Sequence, residues 1–277
     1  MAKTRPSVAA KRRTFRRLHE TGCFVIPNPW DVGSALYLQS LGFKALATTS
    51  SGFAWSQGLP DGGISRELAL AHFEALVAAT DVPVNADFES GFATDPAGVA
   101  ESVTLAMQTG VAGLSIEDSS GDAASPLYDL GTAVDRIRAA REAIDRAGGE
   151  ALLIGRAECF LVGRPDLEET IGRLRAYAAA GADCLYAPGL RGRDQIAAVV
   201  AALAPKPVNV LVGAVSELTI RDIAALGVRR VSVGGALARS AWGAFMRAAK
   251  LIAEEGRFDG FAEAAAGQDL DSFYRGL

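Results

Sequence analysis

The sequence predicts an α/β protein, a (β/α)8 TIM barrel with an N-terminal helix and extra C-terminal helices. Three observations predict it. Eight short apolar or β-branched runs recur along the chain, each followed by a helical pattern. Several of those helices run into a glycine just before the next apolar run, where a helix stops most easily. The chain has 277 residues, and such barrels need roughly 250. A doubly wound open sheet is the competing fold. The count of eight runs and the lack of a GxGxxG opening argue against it.

The elements follow in order. A basic amphipathic helix is expected over about 7–21, with Val8, Phe15 and Leu18 on one face. Strands are expected at about 23–29, 45–51, 82–88, 113–118, 152–158, 184–188, 207–212 and 230–234. The clearest helices between them lie at about 65–79, 95–108, 133–147, 166–180 and 216–226. Gly42, Gly110, Gly181 and Gly227 mark helix ends. Beyond the eighth strand, a helix at about 236–255 and a short segment at 258–275 carry Trp242, Phe245, Met246, Phe258, Phe261, Phe273 and Tyr274. This aromatic tail packs either on its own barrel or on a neighbouring subunit. No linker interrupts the pattern, so a single domain spanning 1–277 is expected, with 236–277 the part suited to a neighbour.

Composition excludes several classes. Lys and Arg number 28 against 32 Asp and Glu, a net charge of −4. That gives no electrostatic case for nucleic acid or an anionic membrane. No apolar run approaches the roughly 20 residues of a membrane span. The basic N-terminus has no apolar stretch behind it, and the cytoplasm is the expected location. Only two His occur, and the three Cys (Cys23, Cys159, Cys184) show no CxxC spacing. Zinc ribbons, dithiol redox chemistry and serine triads are therefore poor readings. His72 and His19 lie on helices and read as structural, and the Cys read as core thiols.

Barrel active sites lie at the C-terminal ends of the strands, and side chains alternate in and out along each strand. Strand three ends with Asn85, Asp87 and Glu89 on one parity. Strand four offers Ser115 and Glu117, then Asp118, and strand five offers Arg156 and Glu158. Asn28, the run Thr48-Thr49-Ser50-Ser51-Gly52, and Asn209 end strands one, two and seven, and Asp61 sits in a turn. Like charges gathered at one mouth repel, and burial penalises each of them. A hard divalent cation held by oxygen ligands, Mg²⁺ or Mn²⁺, would offset that cost. The plainer alternative is a set of salt bridges capping the barrel. Arg156 either pairs with Glu158 or Glu117, clamps a substrate carboxylate, or stabilises a developing enolate. The small polar segment Ser119–Tyr128 follows strand four and is expected to act as a lid. Gly234-Gly235 suits either a phosphate, as in flavin-holding barrels, or tight packing.

The order TTSSG, LPDGG, VNADFESGF, GLSIED and GRAE resembles the isocitrate lyase/phosphoenolpyruvate mutase superfamily. The resemblance runs from Pro27-Asn28-Pro29-Trp30-Asp31 to the helix after strand eight. It implies a Mg²⁺-dependent barrel acting on 2-oxo or 2-hydroxy acids through an enolate, usually as a tetramer that exchanges a C-terminal helix. It further implies a carboxylate cradle at Ser50, Ser51 and Gly52, with Trp30 and Asn209 on the substrate side. Asp61, Asp87 and Glu117 would belong to the metal shell, and Arg156 would bind the substrate's oxygens. Two departures stand out. The acid-x-acid pair begins with Asn85, which shifts or weakens ligation unless Glu89 compensates. The lid lacks the Lys-x-Cys-Gly-His segment of the lyases and the Lys and Asn of the mutases.

The expected activity is a Mg²⁺-dependent, lyase-like reaction on a small 2-oxo or 2-hydroxy (di)carboxylic acid. Carbon–carbon cleavage or decarboxylation would pass through an enolate, with Arg156 and Glu117 as the catalytic groups. The alternatives are a non-catalytic 2-oxo-acid binder and a P–C bond enzyme of the phosphoenolpyruvate mutase type. A homo-oligomer, dimer or tetramer, is expected.

Overall fold

The computed structural model describes residues 5–277. The strands are β1 (Phe24–Ile26), β2 (Leu46–Ala47), β3 (Val84–Asp87), β4 (Gly113–Glu117), β5 (Leu152–Arg156), β6 (Cys184–Tyr186), β7 (Val208–Leu211) and β8 (Arg230–Ser232). They form one eight-stranded sheet in the order β1-β8-β7-β6-β5-β4-β3-β2, every pair parallel. The remaining gap, between β1 and β2, is bridged at their ends. The Ala47 N–H donates to Pro27 O at 3.0 Å, and Asn28 Nδ2 donates to Thr48 O at 2.9 Å. The fold is the expected TIM barrel.

Helices alternate with the strands: α1 (Val8–Leu18), α2 (Val32–Ser40), α3 (Ser50–Ser56), α4 (Arg66–Ala79), α5 (Pro96–Gln108), α6 (Leu130–Arg146), α7 (Leu167–Ala179), α8 (Arg193–Leu203) and α9 (Ile220–Ala225). Asp31, Ser65, Asp95, Asp129 and Asp166 begin α2, α4, α5, α6 and α7 by accepting a backbone N–H with their side chains. One boundary departs from the sequence pattern. The run at 45–51 is strand only at Leu46–Ala47, and Ser50, Ser51 and Gly52 form the first turn of α3. Thr49 causes the switch, because its Oγ1 accepts the Gly52 N–H at 3.2 Å and caps a helix there.

Helix α1 closes the base of the barrel, and its basic residues have a structural use. Lys11 Nζ donates to Val77 O at 2.8 Å, at the end of α4, and also to Thr80 O just beyond it. Arg12 reaches Met107 O and Val111 O at 3.0 Å each, at and beyond the end of α5. Cations thus satisfy orphan carbonyls where the helix dipoles are negative. Phe15 is fully buried below the strands. A Cβ at position 113 would approach its ring to 2.8 Å, so glycine is required at the start of β4.

Both histidines are core residues, as the sequence suggests. His19 Nδ1 lies 2.8 Å from Phe15 O, and His72 stacks on Phe53 with ring centroids 3.8 Å apart. Burial pushes His19 down to about 3 and His72 down to about 4. The unfolded chain therefore binds protons below about 6.5 that the folded chain refuses. Stability should be intact above that pH and be lost as pH falls toward the folded values, by on the order of a few kcal/mol. Denaturant unfolding at pH 7 and pH 4.5 checks this. A His19→Gln/His72→Gln variant should lose less stability over that interval than the wild type; an equal loss would assign the acid sensitivity elsewhere.

The chain divides into two compact units, one ending at Ala236 and the other Leu237–Leu277. The second holds most of α10 (Ala236–Glu255) and all of α11 (Gly267–Arg275). Its apolar residues are widely exposed, with Phe245 and Met246 each 62% and Phe258 65% accessible. Among the described residues no helix is long and apolar enough to cross a membrane.

Candidate active site

A cavity of about 160 Å³ opens at the C-terminal ends of the strands. Asn28, Ser50, Ser51, Asp61, Asn85, Asp87 and Arg156 line it, together with Tyr186, Asn209, Arg230 and Ser232. Strand alternation explains most of this set. Asn85 and Asp87, Asn209 and Leu211, and Arg230 and Ser232 are each two apart on one strand, and all face inward.

Arg156 is the hub. It ends β5 directly opposite Glu117 of β4. Its Nη1 lies 3.0 Å from Glu117 Oε2 and 3.2 Å from Asp87 Oδ1, and its Nε donates to Glu158 Oε1. Asp87 is fixed from the other side. Its Oδ2 accepts the Ser50 N–H at 3.0 Å and the Ser50 hydroxyl at 2.9 Å. The start of α3 thus presents donors to a carboxylate, as helix N-termini favour. Glu158 is held by Asp118, whose Oδ1 accepts the Glu158 N–H at 2.8 Å. Asp118 Oδ2 accepts from Tyr177 OH at 2.5 Å and from Arg173 Nη1 at 3.2 Å. A chain of charge-assisted bonds therefore runs from α7, under the ends of β4 and β5, to the cavity wall.

The electrostatics follow from crowding. Burial pushes Glu117 up to about 8; Arg156 opposes this, while Glu158, Asp87 and Glu89 add to it. Glu89 rises to about 7 by burial first, then by the charges of Asp87 and Asp61. Asp61 rises for the same two reasons, burial and then Asp87. Arg156 is held well above its usual value, because nearby carboxylates outweigh its burial.

Among the described residues no three His, Cys, Asp or Glu side chains converge as a ready ligand set. A hard divalent ion needs less than that, since one or two carboxylates and several waters suffice. Two observations favour one. Burial first, and neighbouring carboxylates second, make Asp61, Glu89 and Glu117 hold protons more tightly than usual, and a cation beside them would relieve the second of these. Asn85 Oδ1 is enclosed and has no hydrogen-bond partner. The oxygen-only donor set fits Mg²⁺ or Mn²⁺.

The structure brings Ser50, Ser51, Asp61, Asn85, Asp87, Arg156 and Asn209 to one cavity. Glu117 joins them through Arg156. Glu89 departs from its expected parity. Its φ of +48° turns the chain off the strand, and its side chain lines a narrow neighbouring pocket with Phe53 and His72. Gly52 and Trp30 do not line the main cavity. The Gly52 N–H is committed to Thr49, and the Ser50 N–H to Asp87. Sequence reasoning missed Tyr186, Arg230 and Ser232, although the alternation that found Asn85 and Asp87 also runs through β6 and β8. It named Asp118 only by position, because its partners come from α7. Gly235 serves close packing, since a Cβ there would come 2.8 Å from Ser51 Oγ.

The segment after β4 forms a small closed loop. Ser119 and Leu127 make an antiparallel bridge, and the Tyr128 N–H returns to Asp118 O at 2.9 Å. The Arg136 guanidinium lies 4.1 Å from the centre of the Tyr128 ring and donates to Ala93 O at 2.7 Å. That tie joins the loop after β4 to the loop after β3.

A family model described as phosphoenolpyruvate phosphomutase matches residues 15–253. The chain is similar to a Burkholderia cenocepacia protein solved as a lyase/mutase, with 48% identity, 96% of each chain covered and a TM-score of 0.92. An uncharacterised Mycobacterium tuberculosis protein is 37% identical over 223 residues, 80% of this chain and 81% of that one. A 2,3-dimethylmalate lyase, whose structure is described as a PEP mutase/isocitrate lyase superfamily member, is 27% identical. It covers 98% of this chain and 95% of its own, with a TM-score of 0.83.

Proposed function

The chain belongs to the phosphoenolpyruvate phosphomutase family, within a superfamily of lyases and mutases, and from that premise we propose a Mg²⁺-dependent, lyase-like enzyme for a small 2-oxo or 2-hydroxy acid. The observation that carries this reading is Arg156, a guanidinium at the cavity wall aligned by Asp87, Glu117 and Glu158 from successive strand ends.

The substrate's carboxylate and 2-oxygen would lie between the start of α3 and Arg156. Ser50 and Ser51 line that wall, and Arg156 supplies positive charge where an enolate oxygen develops. The carboxylates on Arg156 fix its orientation, so the site needs little rearrangement during the reaction. Asp87, Asp61, Asn85 and Glu117 would hold the divalent ion directly or through water. When bound, that ion would supply Lewis-acid polarisation of the 2-oxygen. The loop at 119–128 would cover the mouth. It contains no Lys, Cys or His. The enolate left by decarboxylation needs a proton as the one left by carbon–carbon lysis does, and water, Glu117 or Tyr128 would supply it in place of a lid acid. Decarboxylation and hydrolytic cleavage therefore rank beside simple carbon–carbon lysis, and P–C bond chemistry ranks below them. The exposed aromatics of the C-terminal unit suit a homo-oligomer, and the three unpaired Cys suit the cytoplasm.

A thermal-unfolding matrix tests the binding half of this reading. It uses pyruvate, oxaloacetate, lactate and malate, each with Mg²⁺ and with EDTA. A ligand at a hundred times its Kd should stabilise the fold by about 2.7 kcal/mol. The shift should require acid and Mg²⁺ together. Acids that never raise Tm, with or without Mg²⁺, would count against it.

A further inference from the structure

Arg230 lies on the floor of the same cavity. The guanidinium is only 3% exposed and lines the cavity from β8. Its Nε donates to Asn209 Oδ1 at 2.9 Å, and Asn209 Nδ2 in turn donates to Ser232 Oγ at 3.0 Å. Its Nη1 is enclosed and has no hydrogen-bond partner among the described residues. No carboxylate there pairs with it. The groups that act on its charge are Cys184 and Tyr186, both neutral at pH 7.

The other enclosed arginines are provided for. Arg156 has three carboxylates, and Arg173 has Asp118 and Glu169. Arg12 and Arg136 spread their charge over two and three backbone carbonyls, although the Arg136 Nε is itself without a partner. Arg230 alone among these five rests on a single neutral amide oxygen. A guanidinium does not escape its burial cost by deprotonating, so an unpaired one inside a barrel calls for an anion. Among the described residues none is supplied, and the cavity is the adjoining open space. Asn209 and Ser232 hold the arginine in place rather than neutralise it.

We propose that Arg230 forms a second anion subsite on the cavity floor and takes a second carboxylate of the substrate. This rests on the reading of the mouth as the site for a 2-oxo or 2-hydroxy acid, and it makes Arg230 the residue that selects diacids over monoacids. The reacting end of the substrate would stay at Ser50, Asp87 and Arg156, while the distal carboxylate points down the barrel axis. Small free anions share this chemistry and must be separated from a tethered carboxylate.

Calorimetric titration with racemic lactate and racemic malate, in the presence of Mg²⁺, tests the proposal, because malate adds one carboxylate to the lactate skeleton. A charge-assisted pair at an enclosed site should favour malate by about tenfold or more. Arg230→Met should erase that preference, and Arg230→Lys should keep part of it. Equal affinities in the wild type, or an undiminished preference in Arg230→Met, would overturn the proposal and leave the mouth reading standing. Failure of both acids to bind would remove both. If the variants do not fold, wild-type protein decides with added acetate. Acetate should bind alongside lactate but compete with malate, and competition with neither or with both would overturn the proposal.

Discussion

Arg156→Met is expected to lower kcat/KM for the responsive acid by about a hundred- to a thousandfold, the scale on which charge-stabilising donors act. It should also unsettle the fold at alkaline pH. Asp87, Glu117 and Glu158 would keep their positions at the strand ends without the cation that faces them. Breaking a buried ion pair from one side costs about 3–5 kcal/mol. The carboxylates have an escape, which gives the loss its pH dependence. Glu117 already sits near 8 because burial outweighs Arg156. Without Arg156 its folded pKa should move further above its unfolded value of 4.5. A carboxyl raised in this way is at no disadvantage below its unfolded pKa, and its stability is lost as pH rises through the folded one. The variant should therefore lie closer to the wild type at pH 5.5 than at pH 8.5. Arg156→Lys keeps the charge but not the fork and should fall between them. Denaturant unfolding at the two pH values, with turnover measured beside it, checks both parts. A uniform stability loss across pH would show that the carboxylates are not what Arg156 restrains.

Asp118→Ala is expected to destabilise the fold by about 3–5 kcal/mol, as much as the loss of Arg156. Asp118 lines neither the main cavity nor the narrow pocket beside it. It is 2% exposed and is bonded to Arg173, Tyr177 and the Glu158 backbone. Its removal leaves the Tyr177 hydroxyl and the Glu158 N–H without their acceptor and takes one of two carboxylates from Arg173, which keeps Glu169. Glu158 would loosen with it, and with Glu158 the Nε side of Arg156. Turnover should therefore fall although no substrate contact is lost. Tyr177→Phe removes one donor and its need together and should cost about 1 kcal/mol. The Asp118→Ala/Tyr177→Phe double variant should lose less than the two single changes added together, because they share one bond. Strict additivity would mean that the network does not act as a unit.

How far the sequence carries can be seen residue by residue. The barrel was legible because strand and helix recur eight times, with a glycine stop at four of the helix ends, and each repeat reinforces the others. Asp87 and Arg156 were legible because inward parity at a strand end is a local property. Glu89 failed that rule where the chain turned to positive φ, which parity does not register. Ser50 and Ser51 were placed at the right mouth but on the wrong element, since the Thr49 side chain caps a helix where the run at 45–51 reads as strand. The use of Lys11 and Arg12 as caps for α4 and α5, and the hold of Asp118 on Glu158, depend on partners 40 to 99 residues away. Such partners are invisible to spacing along the chain. Arg230 obeys the same parity as Ser232, but it begins β8 rather than ending it, and only the depth of the cavity makes it a lining residue.

The most direct test of the central claim is ¹H NMR of the wild-type protein incubated with oxaloacetate and malate, in Mg²⁺ and in EDTA, against protein-free controls. The expected result is enzyme-dependent loss of at least one acid, with stoichiometric appearance of its carbon–carbon cleavage or decarboxylation products. EDTA should stop the reaction and Arg156→Met should abolish it. Saturable binding of these acids with no product above the control would contradict the account and mark the chain as a binder that kept the site without the reaction.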